Sequence, residues 1–247
     1  MTGTQKKLRN LCVVLLILIG FSPTKSDGQI TTAKKVLDYI DGAIFRTDMS
    51  FTLKMDIIEG HEIARSYLMD GFKKGADLRL EFVEPAIEKG RIMLSERDNL
   101  WMYMPHTSKI IRLPYKLAFM GSDASNRDLM RLSLAGDYSI KSASRKGGVM
   151  IINLAAKNTS VAYDQVRVYV DEKNMLPKYQ EFLSVSGMLI RTMYFDNYRD
   201  FDGVPFPSKI TITSVLNKNS STILYYLKVS RKMDKPASFF TVQAIRR

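Results

Sequence analysis

Two histidines and the serines close to them are the residues with which this chain could carry out nucleophilic chemistry. His106 lies two residues before Ser108, Ser122 is followed directly by Asp123, and His61 stands alone. A serine nucleophile needs a base and an orienting acid that converge in space. His106 falls in a polar loop between two predicted strands, where a surface histidine is the ordinary outcome. The pattern therefore favours a protein that is not an enzyme, and it predicts no catalytic residue.

Metal and cofactor signatures are missing from the sequence. There is no G-x-G-x-x-G, no G-x-x-x-x-G-K and no H-E-x-x-H motif. The single cysteine, Cys12, lies in the apolar amino-terminal run, so the rest of the chain can form neither a disulfide nor a thiolate metal site. Two histidines are too few for a histidine-rich site. We expect neither a cofactor nor a bound metal.

The charge balance is basic, with 37 Lys and Arg against 25 Asp and Glu and a net charge of +12. Such an excess suits nucleic acid, anionic lipid headgroups or an acidic protein surface. The charges are scattered at alternate positions of predicted strands, which favours an ordinary solvated sheet face. No basic helix or mixed aromatic and basic motif indicates nucleic acid binding.

The amino terminus has the pattern of a secretory signal peptide. Three basic residues precede an uncharged run over 11–21, and a polar stretch with small residues follows it. The run is shorter than the roughly 20 residues that a membrane-spanning helix needs. We predict a signal peptide over 1–28, with cleavage before Gln29, and one folded, exported domain over 29–247. An uncleaved amino-terminal anchor is the alternative.

Alternation of apolar and polar residues dominates the rest of the chain. Residues 30–47 show helical spacing, and from Met49 onward short runs alternate with period two and are separated by turn residues. These runs amount to about eleven strands in neighbouring hairpins. They predict a mainly β fold with few helices, built on an antiparallel sheet that curls and lets a helix or two cover its concave face.

The segment 99–129 is central to the prediction. Its first strand, with Trp101 and Tyr103, is apolar on both faces, as expected of a strand covered on both sides. A polar loop joins it to a second strand at 109–113. After a Gly-Ser-Asp turn, Asp123 or Ser125 can cap a short helix. For Asp123 we favour the role of helix cap over direct contact with a ligand.

The stretches LWMYMP, KIIRLP and FMGSDASNRDL in this segment resemble, in order and spacing, the signature of the outer-membrane lipoprotein-sorting proteins, the LolA- and LolB-like periplasmic carriers. The resemblance extends, more loosely, over about residues 30–245. It implies an incomplete, unclosed β-barrel whose apolar hollow holds acyl chains under a helical lid. It makes Gly121, Ser122 and Asp123 the marker turn of the family. Ala124 departs from the pattern, since many relatives carry an aromatic residue there.

Apolar residues of the alternating strands would line such a hollow, provided that they share its concave face. The predicted cavity-lining residues are Leu53, Met55, Leu80, Phe82, Trp101 and Tyr103, with Phe119 and Met120 at the lid. Lys109 and Arg112 would suit a headgroup phosphate or an anionic membrane surface. The same apolar residues could instead pack a filled core, and only the resemblance favours a cavity.

The expected function is that of a periplasmic carrier. It would bind lipoprotein or lipid acyl chains, or another amphiphile, and transfer them towards the outer membrane. The resemblance implies an inner-membrane transporter as donor, an outer-membrane acceptor and a monomeric protein. The alternative is a sensor or adaptor that uses the same scaffold to bind a membrane protein and transports nothing.

Overall fold

The computed structural model describes residues 27–45, 48–130, 134–158 and 161–245. The predicted signal peptide, apart from its last two residues, lies outside these ranges. Side chains are described from residue 28 onward, with further gaps at 43–47, 131–133, 159–160 and 246–247.

One antiparallel sheet of thirteen strands dominates the structure, in the order β6-β5-β4-β3-β2-β1-β13-β12-β11-β10-β9-β8-β7. The strands are β1 Met49–Glu59, β2 Glu62–Lys74, β3 Asp77–Glu84, β4 Ile92–Glu96, β5 Asn99–Met104, β6 Lys109–Leu113, β7 Tyr138–Lys146, β8 Val149–Ala156, β9 Gln165–Asp171, β10 Pro177–Leu183, β11 Leu189–Phe201, β12 Val204–Ser214 and β13 Ser220–Ser230. Strands β6 and β7 form its two edges, so the sheet is not closed. The predicted unclosed antiparallel sheet is confirmed. The sheet has thirteen strands rather than about eleven. Eleven of them are the alternating runs outside segment 99–129, and the hairpin of that segment, β5 and β6, adds the other two.

The sheet has a continuous apolar face that follows from the alternation of its strands. Leu53 and Met55 of β1 and Val166 and Val168 of β9 are buried in the same large cluster, while the intervening residues are less buried. Side chains of a strand alternate between its two faces, so period-two sequences place their apolar members on one side. Because a large twisted sheet curls, this face forms the inner surface of a hollow.

Helix α1, Asp27–Tyr39, covers part of the inner face and leads into a π-helical turn at Ile40–Phe45. The buried residues Ala33, Val36 and Leu37 of the helix and Ile40 of the turn form one stripe at helical spacing, and the helix packs mainly on edge strand β7. The helix predicted over 30–47 is thus present as far as residue 45, begins three residues earlier and includes the π-helical turn, while residues 46–47 lie outside the described ranges.

The chain between β6 and β7, described at residues 114–130 and 134–137, must pass from one edge of the sheet to the other. This crossing segment contains a 3-10 turn at Phe119–Gly121 and helix α2 at Asn126–Met130. Its Phe119, Ala124, Leu129 and Met130 are buried in the inner cluster. The crossing segment therefore lies across the hollow and, with α1, forms its cover.

The carboxyl-terminal segment, residues 231–245, packs on the opposite, outer face of the sheet. Its Phe240 and Ile245 form a second apolar cluster with Leu94 of β4. The Arg79 guanidinium lies 4.1 Å from the ring centre of Phe239 and donates a 3.0 Å hydrogen bond to its carbonyl oxygen. Strands β3 to β5 are thereby covered on both faces. In the described part of the chain, no helix has the length and apolarity needed to span a membrane.

Candidate functional site

The inner face brings together six of the eight residues predicted to line a cavity. Leu53, Met55, Leu80 and Phe82 are at most 2% exposed, and Phe119 is completely buried. The ring of Phe119 stacks on that of Phe82, with 6.3 Å between centroids and 13° between planes. The sixth residue is Met120, which is partly buried against the same cluster. The crossing segment therefore contacts the strand residues directly in this part of the hollow.

Trp101 and Tyr103 lie on the other face, and their predicted place in the cavity is wrong. Leu100 and Met102 of β5 belong to the inner cluster, whereas Trp101 and Tyr103 contact the outer cluster beneath the carboxyl-terminal segment. Alternation puts Trp101 and Tyr103 on the face opposite Leu100 and Met102, and the carboxyl-terminal segment packs on that face and makes it the outer one. The prediction that both faces of this strand are covered is confirmed.

Lys109 and Arg112, the predicted headgroup contacts, are exposed on edge strand β6 but do not form one site. They are three positions apart, so they face opposite sides of the strand. The neighbours agree with this arrangement, since Leu113 packs on the inner cluster and Ile110 on the outer one. A single headgroup cannot be held by both side chains, and contact of either with a membrane remains a prediction.

The marker turn is anchored to the sheet at two places. The Arg65 guanidinium of β2 donates hydrogen bonds to the carbonyl oxygens of Met120 (2.9 Å) and Gly121 (3.2 Å). Gly121 has a φ of +71°, and a Cβ there would lie 2.9 Å from Arg65 Nη1. The Asp123 N–H donates to Thr222 Oγ1 of β13 at 3.1 Å, and its carboxylate accepts a hydrogen bond from the Ser220 hydroxyl. The turn thus joins the crossing segment to β2 and β13.

The cap of α2 is Ser125 rather than Asp123. The Ser125 N–H donates to Asp128 Oδ2 at 2.7 Å, and the Asp128 N–H donates to Ser125 Oγ at 3.3 Å. This reciprocal pair is a capping box. Of the two caps that the sequence allowed, Asp123 is excluded because its side chain bonds Ser220 across the hollow.

A buried polar cluster, which the sequence did not reveal, holds α2 against β11. Arg191 Nη1 of β11 donates to Asp128 Oδ2 at 2.5 Å, and the Tyr163 hydroxyl donates to the same oxygen at 3.0 Å. Burial, with the Asp128 charge, raises the pKa of Tyr163 above its ordinary value, so this hydroxyl stays protonated. The three residues are far apart in the sequence, and no local motif could have found them.

Within the described ranges, no hydrogen bond joins a candidate serine nucleophile to a histidine. His106 is exposed, and its Nε2 contacts the carbonyl oxygen of Ile87 at 2.8 Å. Ser108 is exposed in the same loop, and the Ser122 hydroxyl donates to the Ala124 carbonyl oxygen. Among the described residues, no three His, Cys, Asp or Glu side chains are grouped as a metal site would require.

A cavity of about 550 Å³ lies between α1 and edge strand β7. Its apolar lining includes Ile30 and Leu37 of α1 and Tyr138 and Ile140 of β7. Polar lining residues include Lys34, Asp38 and Lys157, all of which reach solvent. A volume of this size is typical of small-molecule sites, and apolar walls with a few polar groups are their usual composition. The helical stripe was visible in the sequence, but its packing partner was not.

Comparison with known proteins agrees with this architecture. A family model described as an uncharacterized protein matches residues 77–247. A LolA superfamily protein from Nitrosomonas europaea is 25% identical, with a TM-score of 0.75, and the match covers 86% of this chain and 98% of that one. No protein of curated function matches the sequence.

Two further solved structures share the fold at 18% identity. A DUF1329 family protein from Desulfovibrio piger has a TM-score of 0.76, with 88% of this chain and 99% of that chain covered. A domain assigned to outer membrane lipoprotein sorting, from Vibrio parahaemolyticus, has a TM-score of 0.74, with 90% and 99% covered. The chain therefore belongs to the uncharacterized family whose model it matches, and its fold is that of the LolA superfamily.

Proposed function

We propose that this protein is a periplasmic, non-enzymatic carrier that binds the acyl chain of a lipoprotein or of another amphiphile and transfers it towards the outer membrane. The observation that carries the proposal is the apolar cavity between α1 and the open edge of the sheet at β7. An inner-membrane donor and an outer-membrane acceptor complete the proposal. The likeness to a LolA superfamily protein and to a domain assigned to lipoprotein sorting supports it.

The position of the cavity suits an acyl chain. Among the described strands none pairs with the outer side of edge strand β7, so a ligand can enter between α1 and the sheet without breaking strand pairing. Ile30, Leu37 and Ile140 offer apolar contact, and Lys34 lies at the solvent side, where a polar or anionic headgroup would remain.

The expected affinity is compatible with transfer. Burial of each methylene contributes about 0.8 kcal/mol, so ten buried methylenes contribute about 8 kcal/mol before the cost of association. That total corresponds to binding no tighter than about micromolar. A carrier that must release its cargo needs such reversible binding.

The alternative is an adaptor that binds a membrane protein and carries no lipid. The packing of Phe119 on Phe82 favours it locally, because the crossing segment fills that part of the hollow with protein side chains. The cavity at β7 does not include this contact. A carrier would hold an acyl chain in that cavity, whereas an adaptor would leave it without lipid.

Native mass spectrometry with lipid extraction tests the carrier. The protein is recovered from the periplasm of expressing cells without detergent, in the form in which the cells process it. Ile140→Trp fills the cavity with a larger apolar side chain, and Leu227→Trp places the same residue at an exposed position on β13 as the matched control. We expect stoichiometric acyl lipid on the wild type and the control, and its loss in Ile140→Trp.

Two results would count against the carrier. A lipid-free wild type that takes up no added acyl ligand would favour the adaptor. Equal lipid content in Ile140→Trp and in the wild type would place the ligand elsewhere than at β7. Circular dichroism of each variant verifies that the sheet is intact.

A further inference from the structure

Two neighbouring turns at one end of the sheet present large apolar side chains to solvent. In the turn between β10 and β11, Val185 is 79% and Met188 is 67% exposed. In the turn between β12 and β13, Val215 is 42% and Leu216 is 89% exposed. We name these four residues the hairpin patch.

The two turns form one surface because β10, β11, β12 and β13 are consecutive in the sheet. Their centres are two strand spacings apart, which is about 10 Å. The Val215 N–H donates a 3.0 Å hydrogen bond to the carbonyl oxygen of Ile190, at the start of β11. This bond ties the second turn to the first hairpin, so the patch is carried on paired strands.

The side chains of the hairpin patch are exposed and stand outside both apolar clusters of the sheet. Turns are usually polar, and the rest of these two turns is serine, glycine and asparagine, with Lys218 as the single charged residue. Neither turn contains Asp or Glu. Apolar side chains gathered at an exposed surface indicate a site of contact with another protein or with a membrane.

One residue of the hairpin patch, Val185, lies close to the cavity of the proposed function. Val185 borders a second depression, of about 570 Å³, whose lining also includes Lys157. Lys157 lines the cavity between α1 and β7 as well. Its ammonium group donates a 2.8 Å hydrogen bond to the carbonyl oxygen of Ala135, which holds it between the two. A surface that meets the patch would therefore lie beside the mouth of the cavity.

We propose that the hairpin patch inserts into the interfacial region of an anionic lipid bilayer and so places the cavity mouth at the membrane. The patch combines apolar tips, a lysine and no carboxylate in either turn, and residues 29–247 contain 33 Lys and Arg against 24 Asp and Glu, a net charge of +9. Apolar insertion together with attraction to anionic headgroups is how peripheral proteins bind bilayers. The inference rests on the proposed function for its purpose, but membrane docking can be measured without it.

Vesicle flotation tests the docking. The protein recovered from the periplasm is mixed with vesicles of phosphatidylethanolamine and phosphatidylglycerol, or of phosphatidylcholine alone. The test variant is Val185→Asp with Leu216→Asp, and the matched control is Leu227→Asp, which alters a 50% exposed leucine outside the patch. We expect the partition coefficient onto anionic vesicles to fall tenfold or more in the test variant and by less than twofold in the control.

Lys218→Glu separates the electrostatic part of the interaction. It should weaken binding to anionic vesicles several-fold at low salt and much less at high salt, because salt screens exposed charges. Absence of binding by the wild type, equal binding by the test variant, or equal affinity for phosphatidylcholine would each overturn the docking proposal. The proposal would also be overturned if the test variant lost transfer to an acceptor protein but still bound vesicles. The patch would then contact that protein and not the bilayer.

Binding of a fluorescent fatty acid in solution distinguishes this inference from the proposed function. The test variant should bind the probe as the wild type does, because its substitutions lie outside the cavity. Normal probe binding with no vesicle binding would refute the docking alone. If the wild type bound no probe, the carrier would be refuted. The docking proposal would then stand or fall on the flotation result alone.

Discussion

Removal of the Arg191 guanidinium should strongly destabilise the folded protein. Arg191 Nη1 lies 2.5 Å from Asp128 Oδ2, and the Asp128 side chain is only 3% exposed. In Arg191→Met the carboxylate keeps the Tyr163 hydroxyl and the Ser125 N–H as donors but loses its charged partner. Breaking a buried ion pair from one side costs about 3–5 kcal/mol. That is a large part of the roughly 5–15 kcal/mol by which domains are stable.

A double-mutant cycle separates this cost from other effects of the substitution. Asp128→Asn leaves Arg191 without a charged partner and should also destabilise the protein. The double variant leaves no buried charge unpaired, so its cost should be smaller than the sum of the single costs by about 2 kcal/mol or more. Lys34→Met is the matched control, because the Lys34–Asp38 pair has a similar length of 2.8 Å but is exposed. It should cost less than about 1 kcal/mol.

Urea unfolding followed by far-ultraviolet circular dichroism measures these free energies. Hydrogen exchange adds a local measurement, since the Asn126 N–H donates to the Leu117 carbonyl oxygen within the crossing segment. This amide should lose protection in Arg191→Met more than the amides of β8 do. A cost below about 1 kcal/mol for Arg191→Met, or single costs that simply add in the double variant, would refute the reasoning.

Three further predictions follow from the same contacts. Phe240→Ala should cost about 3–5 kcal/mol and shift the fluorescence of Trp101 to longer wavelength, while a fatty-acid probe binds as before, because both residues lie on the outer face. Burial raises the pKa of Tyr138 to about 12 and raises that of Tyr163 too. Above pH 10, the ordinary pKa of tyrosine, both side chains ionise in the unfolded chain before they ionise in the folded protein. The free energy of unfolding, measured with urea, should therefore fall by about 1.4 kcal/mol per pH unit for each of the two tyrosines. Ser125→Ala should lower the unfolding free energy by about 1 kcal/mol through loss of the α2 cap.

Much of the architecture could be predicted from the sequence because it depends on local patterns. Alternation in β1 and β9 indicated strands with one apolar face, and closely spaced turns indicated hairpins and hence antiparallel pairing. The stripe that contains Val36 and Ile40 indicated an amphipathic helix. The motifs around Gly121 indicated a resemblance to the lipoprotein-sorting proteins. The unclosed sheet and its likeness to a LolA superfamily structure confirm that resemblance at the level of the fold.

The tertiary structure alone decided which face of β5 is the inner one. Trp101 and Leu100 are both apolar, so alternation could not distinguish their environments, and the answer came from Phe240, more than a hundred residues later in the chain. The same holds for Asp128 and Arg191, which are 63 positions apart and meet only when the crossing segment enters the hollow. A strand's sequence determines that neighbouring side chains point to opposite faces, but what covers each face is decided by segments that folding brings there from elsewhere.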